Sequence, residues 1–125
     1  MTVESELDLL LGRAIDSLVK LELLLHFHEG SGLLQTPADI SARLRRPLRE
    51  VVSALEELAQ VDLVARFALG SGKHVIYGSS EDPHVQALLD ALQERYQGDA
   101  ASRAKIIADT LRSDGDADPG SSAPS

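Results

Sequence analysis

The stretch from Thr36 to Tyr77 limits the fold most, because it holds two short helices that need support and then changes period. Thr36-Pro37-Ala38-Asp39 reads as a helix start. Thr36 offers a capping oxygen, Pro37 suits the first helical position, and the Asp39 carboxylate falls near the positive helix end. Ala38, Ile40, Ala42 and Leu44 then give a helix of about two turns. Arg45-Arg46 forms a turn, and Pro47 opens the next helix in its first turn. Leu48, Val51, Val52, Leu55, Leu58 and Ala59 recur at helical spacing until Gln60–Asp62, and Arg49, Glu50, Ser53, Glu56 and Glu57 lie opposite. Two β-prone runs, 63–67 and 73–77, flank Gly70-Ser71-Gly72 and predict a hairpin. Helices shorter than about 12–15 residues are marginal in water. Both must therefore find an apolar support elsewhere in the chain.

That support precedes and follows them. Residues 4–29 read as helix, with Leu7, Leu10, Leu11, Ala14, Ile15, Leu18, Leu21 and Leu25 at three- and four-residue steps. Asp16-Ser17 offers caps for a second helix inside this stretch, so one bent helix and two helices both fit. Leu18–Phe27 is apolar on more than one side, which predicts a central position, and Gly30-Ser31-Gly32 ends it. Leu33-Leu34-Gln35 reads as a short extended piece. Asp82-Pro83 starts a further helix carrying Val85, Leu88, Leu89, Leu92 and Tyr96. Gly98-Asp99 interrupts it, and Ala104, Ile106, Ile107 and Leu111 continue in a second helical run. The residues from Ser113 onward are Ser, Gly, Asp, Pro and Ala, a composition that predicts a disordered tail over 113–125. The reading is one domain over 1–112, with its core in 18–78 and a C-terminal helical region in 83–112.

Composition narrows the chemistry. With two Phe, two Tyr and no Trp, aliphatic residues must fill the core. The absence of cysteine removes disulfides, thiolate metal sites and a Cys nucleophile, and suggests a reducing cytoplasm. No apolar run approaches the roughly 20 residues of a membrane span. Met1–Asp8 carries Glu4, Glu6 and Asp8 with no basic residue, the wrong charge for a signal or transit peptide. Twelve basic against 20 acidic residues give net −8, which repels nucleic acid unless the basic groups gather on one face. They are not spread evenly: residues 1–35 carry net −4, residues 36–78 net +1 and residues 79–125 net −5.

Thr36-Pro37-Ala38-Asp39-Ile40-Ser41-Ala42-Arg43-Leu44, Val51-Val52-Ser53-Ala54-Leu55-Glu56-Glu57-Leu58 and Leu63-Val64-Ala65-Arg66 together resemble the winged helix-turn-helix of bacterial MarR- and ArsR-type transcriptional regulators. The resemblance covers residues 18–78 and consists mostly of spaced apolar positions. Ile15-Asp16-Ser17, Lys20–Leu25 and the Asp82-Pro83 helix also resemble a group of small bacterial winged-helix proteins with no activity attached. The implied fold is mainly α with a small β-hairpin: a winged helix-turn-helix with extra N- and C-terminal helices. The implied function is a DNA-binding transcriptional regulator. The resemblance would put Arg43, Arg45, Arg46, Arg49 and Ser53 at the recognition helix and Arg66, Lys73 and His74 on the wing. Val85, Leu88, Leu89, Leu92, Tyr96, Ile106, Ile107 and Leu111 fit either a dimer seam with the first helix of a second copy or packing against the first helix of the same chain. In such regulators terminal helices make the dimer, so the resemblance implies a homodimer. Two features depart from the pattern. Asp62 stands where a glycine is usual, and Glu50, Glu56 and Glu57 share the face meant for DNA. The alternative is an acidic winged-helix module that binds protein rather than DNA.

No other motif carries chemistry. His26 and His28 point about 200° apart on a helix and cannot share an ion. His74 and His84 are distant in sequence, so no metal or cofactor is expected. Gly70-Ser71-Gly72-Lys73 lacks the spacing of a phosphate loop. No nucleophile elbow or paired-acid motif appears, and no enzyme activity is expected.

Overall fold

Ser17, Thr36 and Asp82 each cap a helix where the sequence marks a start. The computed structural model describes residues 2–30, 34–71 and 74–111. Within them the order is α1 (Val3–Leu10), α2 (Leu18–Glu29), α3 (Pro37–Leu44), α4 (Leu48–Gln60), β1 (Val64–Leu69), β2 (His74–Ser79), α5 (Pro83–Gln97) and α6 (Ala100–Thr110). The protein is mainly helical with one small antiparallel sheet.

The N-terminal stretch is two helices. Gly12 adopts φ 86, open to glycine without a Cβ clash, and its N–H donates to the Ile15 carbonyl at 2.8 Å. Ser17 then caps α2 by accepting from the Lys20 N–H. Leu11 and Ile15 lie in the connection yet are 0% and 1% exposed, so the apolar stripe survives the break. That is why its periodicity could not reveal the break.

Helix α2 is the hub. Leu21, Leu23, Leu24 and Phe27 are buried, and the helix packs against α4, α5, α6 and β2. Against it lies α4, which buries Val51, Ala54, Leu55 and Leu58, and α3, which buries Ile40, packs in turn on α4 and β2. Pro47 stands one residue outside α4, where its carbonyl accepts from the Glu50 and Val51 N–H groups. The hairpin pairs Val64 with Ser79 through Leu69 with His74, and it begins one residue later than the sequence suggests. Leu63 belongs instead to the end of α4. Its N–H donates to the Leu58 carbonyl while the Asp62 N–H donates to Ala59, with Asp62 left-handed at φ 62. This is a Schellman closure with aspartate in the glycine position. Gln35 exchanges both backbone hydrogen bonds with Tyr77, so the extended piece before α3 adds a one-residue rung beside β2.

The core is wider than residues 18–78. Leu7, Leu11 and Ile15 enter it from the N-terminal segment and Leu92 and Ile106 from α5 and α6, all at most 2% exposed. Helix α1 lies on α5, held by Arg95 to Glu4 and Asp8 and by His84 to Glu6. This packing corrects the expected dimer seam: Val85, Leu88, Leu89, Leu92 and Ile106 are buried within a single chain. Tyr96 and Ile107 are half-buried, and Leu111 is exposed. Among the described residues no helix is long and apolar enough to cross a membrane. The expected tail, residues 113–125, lies outside the described residues, as do Ser31–Leu33 of the loop before α3.

Asp62 tests the α4 closure. A left-handed residue with a Cβ costs about 1–2 kcal/mol, somewhat less for Asp, and a carboxylate at a helix C-terminus adds an unfavourable dipole contact. Asp62→Gly is expected to stabilise the protein by about 0.5–1 kcal/mol after the greater unfolded-state entropy of glycine is subtracted. A calorimetric midpoint that stays put or falls would refute this account.

Candidate nucleic-acid interface

The face built by α3, the turn and α4 holds most of the arginines the sequence singles out. Arg43 ends α3, Arg45 and Arg46 make the turn, and Arg49 begins α4. Arg43, Arg45 and Arg49 are exposed and have no carboxylate within 4 Å among the described residues. Arg45 is left-handed at φ 57, and its N–H donates to the Ser41 carbonyl, so the backbone turns sharply there. The Ser41 hydroxyl donates to the Arg46 carbonyl at 2.6 Å and fixes the same turn.

Arg46 differs from its neighbours. Its Nε and Nη2 donate to the two carboxylate oxygens of Glu22 on α2, both at 2.8 Å. This fork-on-fork pairing ties the turn to the hub helix. Hydrogen bonds from Arg46 hold the Glu22 carboxyl below its ordinary value. The structure thus separates Arg46, a tether, from the three free arginines beside it.

The acids on α4 also separate. Glu57 turns towards α2, where it and Asp16 bind the Lys20 ammonium, at 2.5 and 2.8 Å. Lys20 is 6% exposed. Burial lowers its pKa, but the hydrogen bonds it donates to Asp16 and Glu57, with their charges, outweigh that, and the net shift is upward. Glu57 is therefore a counter-ion for a buried cation. At 100° per residue, Arg49, Ser53, Glu56 and Gln60 make the outward ridge of α4, with Glu50 on the Glu57 side. Ser53, Glu56 and Gln60 are exposed.

Arg66 and His74 are exposed on the hairpin, and Lys73 lies outside the described residues. The hairpin also exposes apolar groups: Phe67 is 42% and Leu69 49% accessible. His26 and His28 contact different partners, Gln35 and Asp90, as their spacing predicts. Among the described residues no group of three metal-ligating side chains gathers.

The sequence reading missed Arg13 and Gln60. Arg13 follows Gly12 in the α1–α2 connection, is exposed, and lines a groove with Ser53, Glu56 and Gln60. Its available signal is Gly12, a glycine inside a helical pattern, which marks a loop able to carry a side chain to another element. No protein-family model, curated protein or solved structure matches the chain.

Two ion-pair predictions follow from this geometry. Lys20→Met should cost under about 1 kcal/mol, because Asp16 and Glu57 stand at the rim and rehydrate. The double variant Asp16→Ala, Glu57→Ala should cost about 2–3 kcal/mol, because it leaves an ammonium buried without a partner. Chemical denaturation that ranks the two the other way would reject this assignment. For Glu22 the folded pKa is depressed, so its stabilisation is present above the unfolded value of 4.5 and lost as pH falls through the folded one. The gap in melting temperature between the wild type and Glu22→Gln should accordingly close below that pH; a gap that persists would contradict the pairing.

Proposed function

We propose that the chain is a winged helix-turn-helix protein that binds double-stranded DNA as a cytoplasmic transcriptional regulator, with α4 as the recognition helix and the β1–β2 hairpin as the wing. One observation carries the reading: Arg43, Arg45 and Arg49 converge on the α3–α4 turn, exposed and without carboxylate partners among the described residues, whereas Lys20, Arg46, Arg95 and Lys105 are each paired with an acid. Exposed guanidinium groups without a carboxylate partner are available to contact phosphate oxygens. The element order and the resemblance to MarR- and ArsR-type regulators support the same reading. Glu57 weakens the objection from acids on α4 only in part, because the Lys20 ammonium it turns to is shared with Asp16.

Binding of this kind is dominated by phosphate contacts and is salt-dependent, with a log–log slope of about 0.9 per contact. Fluorescence anisotropy with a labelled duplex at several salt concentrations should give saturable binding. The triple variant Arg43→Ala, Arg45→Ala, Arg49→Ala, which spares the Arg46 tether, should lose most of the affinity and lower the slope by about 2–3. Affinity and slope equal to the wild type would sink this face.

The exposed Leu34, Phe67 and Leu69 favour a second reading, in which the hairpin side meets a protein, including a second copy of the chain. Sedimentation of Phe67→Ser, Leu69→Ser against the wild type separates the two: a change in self-association with unaltered DNA affinity assigns the hairpin to protein contact.

A further inference from the structure

We propose that Arg13 and Arg66 form the two flanks of a clamp around α4, so that this face takes a duplex with one phosphate strand on each flank. The proposal rests on the nucleic-acid reading above.

Two grooves run along α4 and share Glu56 and Gln60. The first is walled by Arg13 and Ala14 of the α1–α2 connection and takes in Ser53 and Glu57. The second is walled by Asp62, Ala65 and Arg66 and takes in Ala59. Glu57 and Ala59 point about 160° apart on the helix, so the grooves flank the Glu56–Gln60 ridge on opposite sides. Arg13 and Arg66 are therefore on opposite flanks. Both are exposed, and neither has a carboxylate within 4 Å among the described residues.

Arg13 is held by its own loop. The Gly12 N–H donates to the Ile15 carbonyl at 2.8 Å, and the N–H groups of Arg13 and Ile15 both donate to the Leu10 carbonyl at 3.0 Å. Leu11 and Ile15 anchor this loop in the core, so the guanidinium starts from a fixed backbone. The acids nearest that flank, Asp16 and Glu57, are engaged by Lys20. Glu56 stands on the ridge itself, where base edges are met, and a carboxylate there accepts from a cytosine amino group.

The size match commits the ligand to a duplex. A helix with its side chains is about 10–12 Å across, and the B-DNA major groove is about 12 Å wide with a phosphate strand on each side. A helix filling that groove brings both of its flanks to phosphate. A single strand offers one backbone and can satisfy one flank.

The test is anisotropy titration of a fluorescein-labelled mixed-sequence duplex, and of one of its separated strands, across a range of salt. Arg13→Ala and Arg66→Ala should each lower the duplex salt slope by about 0.9, and the double variant by about 1.8. Arg13→Lys should keep the wild-type slope, because a phosphate contact needs the charge rather than the fork. Melting temperatures should be unchanged, since neither guanidinium has a carboxylate partner among the described residues. A wild-type slope for Arg13→Ala, alongside weakened binding by the Arg43, Arg45, Arg49 triple variant, overturns the clamp and leaves the face intact. Equal affinity for duplex and single strand overturns the duplex assignment. No duplex binding by the wild type at low salt overturns the face and the clamp together.

Discussion

Helix α2 has to be enclosed, and the rest of the structure depends on that requirement. Leu21, Leu23, Leu24 and Phe27 leave it no single outward stripe, so α4, α5, α6 and the hairpin all pack against it. Short helices such as α3 gain from docking on this frame what they lack in length. The one cation buried in α2 shows how far the requirement goes. Lys20 lies under the surface at 6% exposure, and the fold supplies two carboxylates, one local and one from α4, to keep it charged. Arg46 reaches back to Glu22 on the same helix. Through these two contacts α2 fixes both the turn before α4 and the rotation of α4 about its axis.

That rotation changes what the net charge means. A chain of net −8 is repelled by polyanions at long range, yet the sign at a given face depends on which charges are already spent. Arg95 pairs with Glu4 and Asp8, and Lys20 with Asp16 and Glu57, so each cluster offsets one of its two acids. What remains around the α3–α4 turn is Arg43, Arg45 and Arg49, facing Glu50 and Glu56 as the unspent acids of α4. On the proposed reading, affinity comes from this local excess while the acidic remainder of the chain discourages indiscriminate binding.

Much of this was legible in the residues. Thr36, Pro37 and Asp82 announced helix starts because capping and proline geometry are local, and the hairpin followed from a change of period around glycines. Three things were not legible, each because it depends on contacts far apart in sequence. Leu11 and Ile15 keep the helical spacing while sitting in a loop, because distant residues bury them there, so periodicity left one bent helix and two helices both open. Leu88, Leu89 and Leu92 read equally well as a seam to a second copy or a cover for α1 and α2, and only the tertiary packing decides for the latter. Arg43, Arg45, Arg46 and Arg49 look alike in the sequence; the ion pair to Glu22, 24 residues from Arg46, is what sets one of them apart.

The two ends of α4 carry the last piece of the argument. Arg45 before it and Asp62 after it are both left-handed, at φ 57 and φ 62, where glycine would fit without cost. Strain of this kind persists when the surrounding structure enforces it, and an observed outlier points to function only when its side chain has something to do. At Asp62 the side chain makes no hydrogen bond or ion pair among the described residues, and the closure of α4 is made by backbone groups, with the Leu63 N–H donating to the Leu58 carbonyl. At Arg45 the backbone turn is equally served by glycine, yet glycine there would remove one of three free guanidinium groups from the face. The same backbone cost thus has different meanings at the two positions: at one it is unrecovered strain, and at the other it is the condition for presenting a charge at the tightest point of the turn.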